Sequence, residues 1–505
     1  MLNGILGLGA KSLLTADVSD DNVIYRLLDT TRAYAREKLR SSDESAKISR
    51  RHAVFLCGVR DGANGQAPSD AAWLEKYGPK IDDVRAALDW CFSPDGDAWL
   101  GQRLTAASGP LWFGLYALSE YGRRLQQALQ ALHAAATPDA ALEMRLNMML
   151  GNTHLHTGAP GMATAFNTAI EIADRLGDTA TLGEALFGSV YQSVLAGDYL
   201  SAVRSSERAL RRVDGRYAEA AFASDSLIAL AHHLAGNQVT ARRHAERALS
   251  RDSDEPIVAR ANWLDYRVSA RAFLSLILWV QGFPDQSTIA AHRCVEDALS
   301  AGHSLMSALL RAGMVALWTG DMAAADRFVA MLLDRSARHS LTREQLWGRS
   351  FATVLAFRRG DTERKVARRD EMLSDPLSGP PLLETLGTLS EDLVGAEAVA
   401  RAKDGRAGWC AAEILRANAA AMLKQGTLDE AAAETQFRRS LDIASRQGAL
   451  SWELRAATSL ARLWQGQGRV GDAHDLLASV LGRFTEGFGT ADLLAAKALL
   501  NELAI

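Results

Sequence analysis

Two stretches decide the fold: "LAGDYLSAVRSSERAL" (residues 195–210) and "LAGNQVTARRHAERAL" (residues 234–249). Gly197 and Gly236 stand 39 residues apart. An alanine follows each glycine after five residues (Ala202, Ala241) and another after twelve (Ala209, Ala248). A glycine in mid-helix costs about 1 kcal/mol relative to alanine. A glycine that returns at one phase therefore marks a turn, where positive φ carries no penalty. The text on both sides has helical periodicity. In "SLIALAHHLAG" (226–236), Leu227, Ile228, Leu230, Ala231, Leu234 and Ala235 fall on one face before the turn. After a turn, Ala202, Val203, Ala209, Leu210 and Val213 do the same. The unit is a helical hairpin, and the alanine after the glycine lets its two helices approach closely.

The frame recurs along the chain. Its glycines are Gly158, Gly197, Gly236, Gly282, Gly320, Gly360, Gly426 and Gly468, with successive gaps of 39, 39, 46, 38, 40, 66 and 42 residues. The alanine five residues on is Ala163, Ala202, Ala241, Ala325, Ala431 or Ala473. Ser287 stands in after Gly282, and Lys365 breaks the rule after Gly360. A single hairpin cannot bury its apolar face; stacked hairpins can, which predicts a solenoid with a continuous core. "GDYLSAVRSSERAL" (197–210) resembles the second half of a tetratricopeptide (TPR) repeat, with glycine at the turn and alanines at matching offsets. The usual period of that family is 34 residues, so these repeats are TPR-like with longer helices or loops. The long gap after Gly360 holds "SDPLSGPPLLETLG" (374–387), read as a Pro/Gly loop, and is expected to contain one irregular repeat plus an extra helix. "SDEP" (253–256) reads as a helix start with Pro256 in the first turn.

The N-terminal text differs. "SLLTADVSDDNVIYRLL" (12–28) places a polar "SDDN" between two apolar runs, the pattern of a β-hairpin. "TTRAYAREKL" (30–39) follows as a helix, with Thr30 or Thr31 expected as its N-cap.

Composition sets outer bounds. The chain has 505 residues, 48% hydrophobic and 23% charged, with a formal net charge of -4. That balance argues against a dedicated nucleic-acid surface, which is usually basic. Only 11 prolines occur, which favours helices. Cys57, Cys91, Cys294 and Cys410 form no C-x-x-C and fit a reducing compartment rather than a disulfide scaffold or a structural zinc site. No apolar run approaches the roughly 20 residues of a membrane span, and no secretory signal pattern is visible. The expected location is the cytoplasm.

Several stretches mimic chemistry. "GILGLGAKSLL" (4–14) looks like a phosphate loop, but G-x-x-x-x-G-K-[ST] needs its lysine directly after the second glycine. Gly4 and Gly9 have the right separation, yet Ala10 pushes Lys11 and Ser12 one place late. Too few residues precede Gly4 for the strand that feeds such a loop. "VAMLLD" (329–334) imitates a metal-binding strand but falls in the helix after the Gly320 turn. His154 with His156, and His232 with His233, are too closely spaced to converge from one helix. The basic runs "RAYAREKLR" (32–40), "RRH" (50–52) and "RRGDTERKVARR" (358–369) read as solvated helix faces; the sharper alternative is contact with DNA or an acidic partner. Trp279, Trp318 and Trp464 precede turns and read as core between repeats rather than as base-stacking platforms.

The two ends carry a more specific resemblance. "AKSLL", "YRLLDTTRAYAREKL", "RRHAVFL", "IDDVRAALDW" and "LTAASGPLWFGLYALSEYGRRLQQAL", with "FRRSLDIASRQGALSWELRAATSLARLWQGQGRVGDAHDLLASVLGRFTEGFGTADLLAAKALLNEL" (437–503), resemble a family of large bacterial transcriptional regulators. These carry a winged-helix DNA-binding domain, a STAND-type NTPase and a TPR-like arm. Two departures stand out: the text around 395–410 is shorter than usual, and Gly489 replaces a common acidic residue. The resemblance implies that this chain is the arm, with the DNA-binding and NTPase domains encoded upstream. "AKSLL" would then close the last helix of a small winged-helix module.

The expected fold is all-α: a TPR-like right-handed helical-hairpin solenoid with a short N-terminal β-hairpin. Its expected parts are a partial winged-helix module (1–52), a helical connector with a first degenerate repeat (53–135) and a TPR-like array (136–505). The expected function is a non-enzymatic sensor arm that binds a protein, peptide or small inducer in its groove. An NTPase/winged-helix partner encoded upstream is a further expected partner; a membrane and direct nucleic-acid contact are not. Alternatives are a component of an ATPase or cyclase regulator working with a separate NTPase, and a weak DNA-binding regulator acting through residues 12–52. No catalytic, cofactor-binding or metal-ligating residue is assigned, no cofactor is expected, and the sequence leaves the ligand-binding residues unknown.

Overall fold

The computed structural model describes residues 2–19, 22–42, 44–63, 77–212, 218–250, 265–301, 304–339, 341–360 and 365–504. The helix start read at 253–256 and the apolar position Val213 lie outside them. The chain is a TPR-like helical-hairpin solenoid. All eight glycines of the frame have positive φ, from 68° at Gly426 to 91° at Gly236. The turn assignment therefore holds at every repeat, for the steric reason that made glycine necessary.

The hairpin has an inner and an outer helix. The inner helix precedes the glycine, as in Ala218–Leu234, Tyr266–Val280 and Leu305–Thr319. Inner helices bury more than one face: every side chain from Leu227 to Ala231 is buried, so a single apolar face is too narrow a description. The outer helix follows the glycine and is amphipathic. In Tyr199–Arg212, Ala202 and Ala209 are buried, whereas Leu210 is 38% exposed, against the expectation that it shares their face. Where aspartate follows the glycine it caps the outer helix. Asp198 accepts from the Ser201 N–H at 2.9 Å, and Asp321 from the Ala324 N–H at 2.9 Å.

The spacing rule for the small residue needs one correction. Ala202, Ala241, Ser287, Ala325 and Ala473 are fully buried, but Ala163 is only half-buried and Ala431 is exposed. After Gly158 and Gly426 the turn is two residues longer, so the outer helices start at Met162 and Glu430. Buried Ala165 and Ala433 take over. The constant feature is thus the fourth residue of the outer helix, because the helix axis, not the glycine, decides which side chain faces the inner helix. Ser287 is tolerated there because its hydroxyl donates to the Ser275 carbonyl at 2.6 Å.

Residues 374–387 are only partly loop. The loop ends at Gly379, and Pro380 opens the helix Pro380–Leu389 as its first residue, where the missing N–H costs nothing. A second short helix, Ala396–Lys403, follows before the regular inner helix Ala411–Lys424.

At the N-terminus, "GILGLGA" lies in the helix Leu2–Ala10, so Gly4 and Gly9 form no loop. Strands Leu14–Ser19 and Asn22–Leu27 pair antiparallel, Leu14 opposite Leu27. The next helix runs Asp29–Arg40; its N-cap is Leu28, and Thr30 and Thr31 sit inside it. Leu28 is the extended residue leaving the strand, which sets the boundary ahead of the threonines. Among the described residues, no helix is long and apolar enough to cross a membrane.

Candidate functional site

The solenoid winds far enough to meet itself. Turn glycines of early repeats press against residues roughly 200 positions later in the chain. A Cβ on Gly197 would lie 2.6 Å from the Arg401 guanidinium, one on Gly236 2.6 Å from Gln447, one on Gly282 2.7 Å from Leu450, and one on Gly320 3.0 Å from Ala491. In the other direction, a Cβ on Gly408 would overlap the Leu234 carbonyl. The largest apolar core accordingly runs from Phe187 to Trp452 without a break.

This seam between superhelical turns has its own polar and aromatic contacts. Arg401 donates to the Gly197 carbonyl at 2.7 Å and to Glu384 at 2.7 Å, and the Tyr199 hydroxyl donates to Glu384 at 2.5 Å. Trp279 stacks on Trp318 at 4.6 Å between centroids and meets Trp452 edge-on at 4.7 Å. The Trp318 indole N–H reaches Thr388, and that of Trp452 reaches the Trp409 carbonyl, each at 3.0 Å. Two of the three tryptophans read as core between neighbouring repeats thus join successive turns of the superhelix. Trp464 is buried in the C-terminal core, with Arg438 and Arg469 over its ring. Arg455 lies over Trp279 and Trp452 and bonds Glu413, Asp492 and the Thr388 carbonyl. Burial alone would raise the Glu413 carboxyl, but Arg416 and Arg455 hold it below the usual range. Arg358, read as part of a solvated basic run, donates to the Leu317 and Leu389 carbonyls instead.

The histidines separate by environment. His233 is fully buried, shares a hydrogen bond of 2.8 Å with Gln238 and lies beside Trp409; burial pushes its pKa down to about 4. His154 is also lowered by burial. His244 pairs with buried Asp225, which Arg247 holds as well.

Beside the seam lies a cavity of about 530 Å³, within the ~300–1,000 Å³ typical of small-molecule sites. It is bounded by segments as distant in sequence as Pro110 and Trp409. Phe187, Tyr191, Leu230 and Leu276 form an apolar wall, with Thr385 and Trp409 contributed by the second superhelical turn. At the other end Tyr116, itself at φ 53°, stacks on His339 at 4.3 Å, and Phe113 meets His156 edge-on. Burial lowers His339, helped by Arg335. Three arginines, Arg311, Arg335 and Arg343, line the cavity against one acid, Glu344. Arg343 Nε and Glu344 Oε2 are buried with no hydrogen-bond partner among the described residues. Sequence reasoning missed all of these groups.

No family model matches the chain. Three curated mycobacterial proteins, provisionally named HTH-type transcriptional regulators, are similar to it: one from Mycobacterium bovis and two from Mycobacterium tuberculosis strains CDC 1551 and H37Rv. Each is 30% identical over 211 residues, or 40% of this chain and 24% of its own length. The match thus spans about a quarter of those relatives. Among solved structures, a Rap protein complexed with Competence and Sporulation Factor overlaps 80% of this chain and 97% of its own, at 11% identity and TM-score 0.39. A Signal Transduction ATPase with Numerous Domains (STAND) protein with a tetratricopeptide repeat sensor, from Pyrococcus horikoshii, overlaps 73% of this chain and 57% of its own, at 13% identity and TM-score 0.34. The solenoid assignment rests on the hairpin geometry itself.

Proposed function

We propose that the chain is a non-enzymatic regulatory arm that senses a protein, peptide or small inducer in the interior of its solenoid. The observation that carries this is the cavity beside the seam. It is lined by both superhelical turns, so an occupant that fits one spacing of the turns better than another shifts the population between them. A lining of aromatic and aliphatic side chains with a few convergent polar groups is a binding surface.

Within this reading the chain is the arm of a winged-helix/STAND-type transcriptional regulator acting in the cytoplasm. Residues 1–52 are the end of a winged-helix module, 53–135 a connector and 136–505 the sensing array. The 30% likeness to the mycobacterial proteins supports the regulatory part. Thermal-shift screening of apolar peptides and small organic acids, with ATP alongside, tests it. A saturable rise in Tm with a peptide or acid and none with ATP is expected. Micromolar ATP binding or hydrolysis by this chain would overturn it.

A further inference from the structure

The charged groups of the seam are internally paired: Glu384 with Tyr199 and Arg401, Glu413 with Arg416 and Arg455. The cavity end at Arg343 and Glu344 differs. Among the described residues Arg343 makes no ion pair within hydrogen-bond reach, and its Nε is buried and unbonded. Burial lowers its pKa, and the neighbouring Glu344 charge partly offsets this. Glu344 has one oxygen 3.8 Å from His156, while the other is buried without a donor. A cationic and an anionic side chain on adjacent residues, each with one polar atom unbonded among the described residues, thus line one largely apolar cavity. Their helix, Thr342–Arg358, begins at Leu341 with no side-chain cap. Arg311 adds a second, half-buried guanidinium; it rests over Phe273 and bonds the Ser307 hydroxyl.

This pattern selects a ligand. A neutral apolar molecule would leave the half-buried Arg343 charge without a counter-ion. A bare carboxylate would satisfy Arg343 but put its charge against Glu344 Oε2. A carboxylate with an N–H one carbon away satisfies both. Resting on the sensor reading above, we infer that the cavity binds an acylamino carboxylate with an apolar body: the carboxylate on Arg343, the amide N–H on Glu344, and the body among Phe187, Tyr191, Leu230 and Leu276. An N-acylated amino acid and the C-terminus of a short apolar peptide share this chemistry.

Calorimetry on the full chain tests the inference with N-decanoylglycine, its amide N-decanoylglycinamide, decanoate, and an apolar tripeptide as free acid and as C-terminal amide. At least one free acid, acylglycine or tripeptide, is expected to bind one-to-one, about tenfold or more tighter than its amide. N-decanoylglycine is expected to exceed decanoate by a similar factor if it is the binder. Which acid binds identifies the source. Arg343→Gln should remove the acid-over-amide preference, and Glu344→Gln the preference of acylglycine over decanoate. Ser307→Trp, which puts an indole into the cavity beside Arg311, should weaken binding strongly. Equal binding of acids and amides by the unaltered chain overturns the inference whatever the variants do. So does a regulatory peptide or protein that still binds Ser307→Trp while none of these probes binds, an outcome that leaves the sensor reading standing. ATP binding would remove the sensor reading itself.

Discussion

Gly197 and Gly468 make the same turn, with φ of 71° and 77°, and lead into outer helices that begin two residues later. Their surroundings differ. Around Gly468 an added Cβ would meet nothing within 4 Å, whereas at Gly197 it would strike Arg401. One glycine serves the hairpin alone. The other also admits the next superhelical turn. The same local code therefore carries two loads, and the seam, not the turn, is where this solenoid differs from a simple row of hairpins.

The sharpest way to break that contrast is to disrupt the buried ions beside the seam. Glu413→Ala takes the buried carboxylate from Arg416 and Arg455, which keep only the less buried Glu391 and Asp492, and should cost about 3–5 kcal/mol, read as a fall in urea midpoint; Glu430→Ala on an exposed outer-helix start should leave it nearly unchanged. Acid should act next. The pKa of His233 is depressed in the folded state to about 4, below the ~6.5 of an unfolded chain. The unfolded state therefore binds more protons between these values, so stability is complete above about pH 6.5 and falls toward pH 4, by about 3 kcal/mol from this residue. Urea melts at pH 7.5 and 4.5 should show a smaller loss in His233→Leu than in the unaltered chain; equal losses would refute the assignment.

The glycines test the comparison directly. Gly197→Ala should cost about 2–4 kcal/mol, from overpacking on Arg401 plus positive φ, and Gly468→Ala about 1 kcal/mol from φ alone. Equal shifts in Tm would remove the distinction between seam and outer turns. The smallest effect concerns register. Ala433→Leu should destabilise by about 1–3 kcal/mol, while Ala431→Leu, two residues earlier and exposed, should stay within about 0.5 kcal/mol. The reverse order would restore the simpler glycine-based spacing.

Much of the fold was legible. A repeated glycine announces a turn through sterics at one residue, and all eight positions obeyed. The small residue was legible except where the turn lengthened, at Ala163 and Ala431. The prolines of "PPLLETLG" suggest a loop, yet Pro380 sits where a helix tolerates one. The caps proposed at Thr30 and Thr31 failed because the strand before them delivers an extended Leu28. The candidate site was not legible. Arg343 and Glu344 look like ordinary helix-start charges, and Trp409, Thr385 and Tyr191 come together only through the winding.

The sequence by itself determined the hairpin, its period and the identity of inner and outer helices, because each depends on contacts a few residues apart or between neighbours. Tertiary structure alone decided where the solenoid meets itself, which glycines must admit an arginine, and which charged groups gather around a cavity. Those outcomes depend on small rotations summed over about five repeats, and no local pattern records a sum.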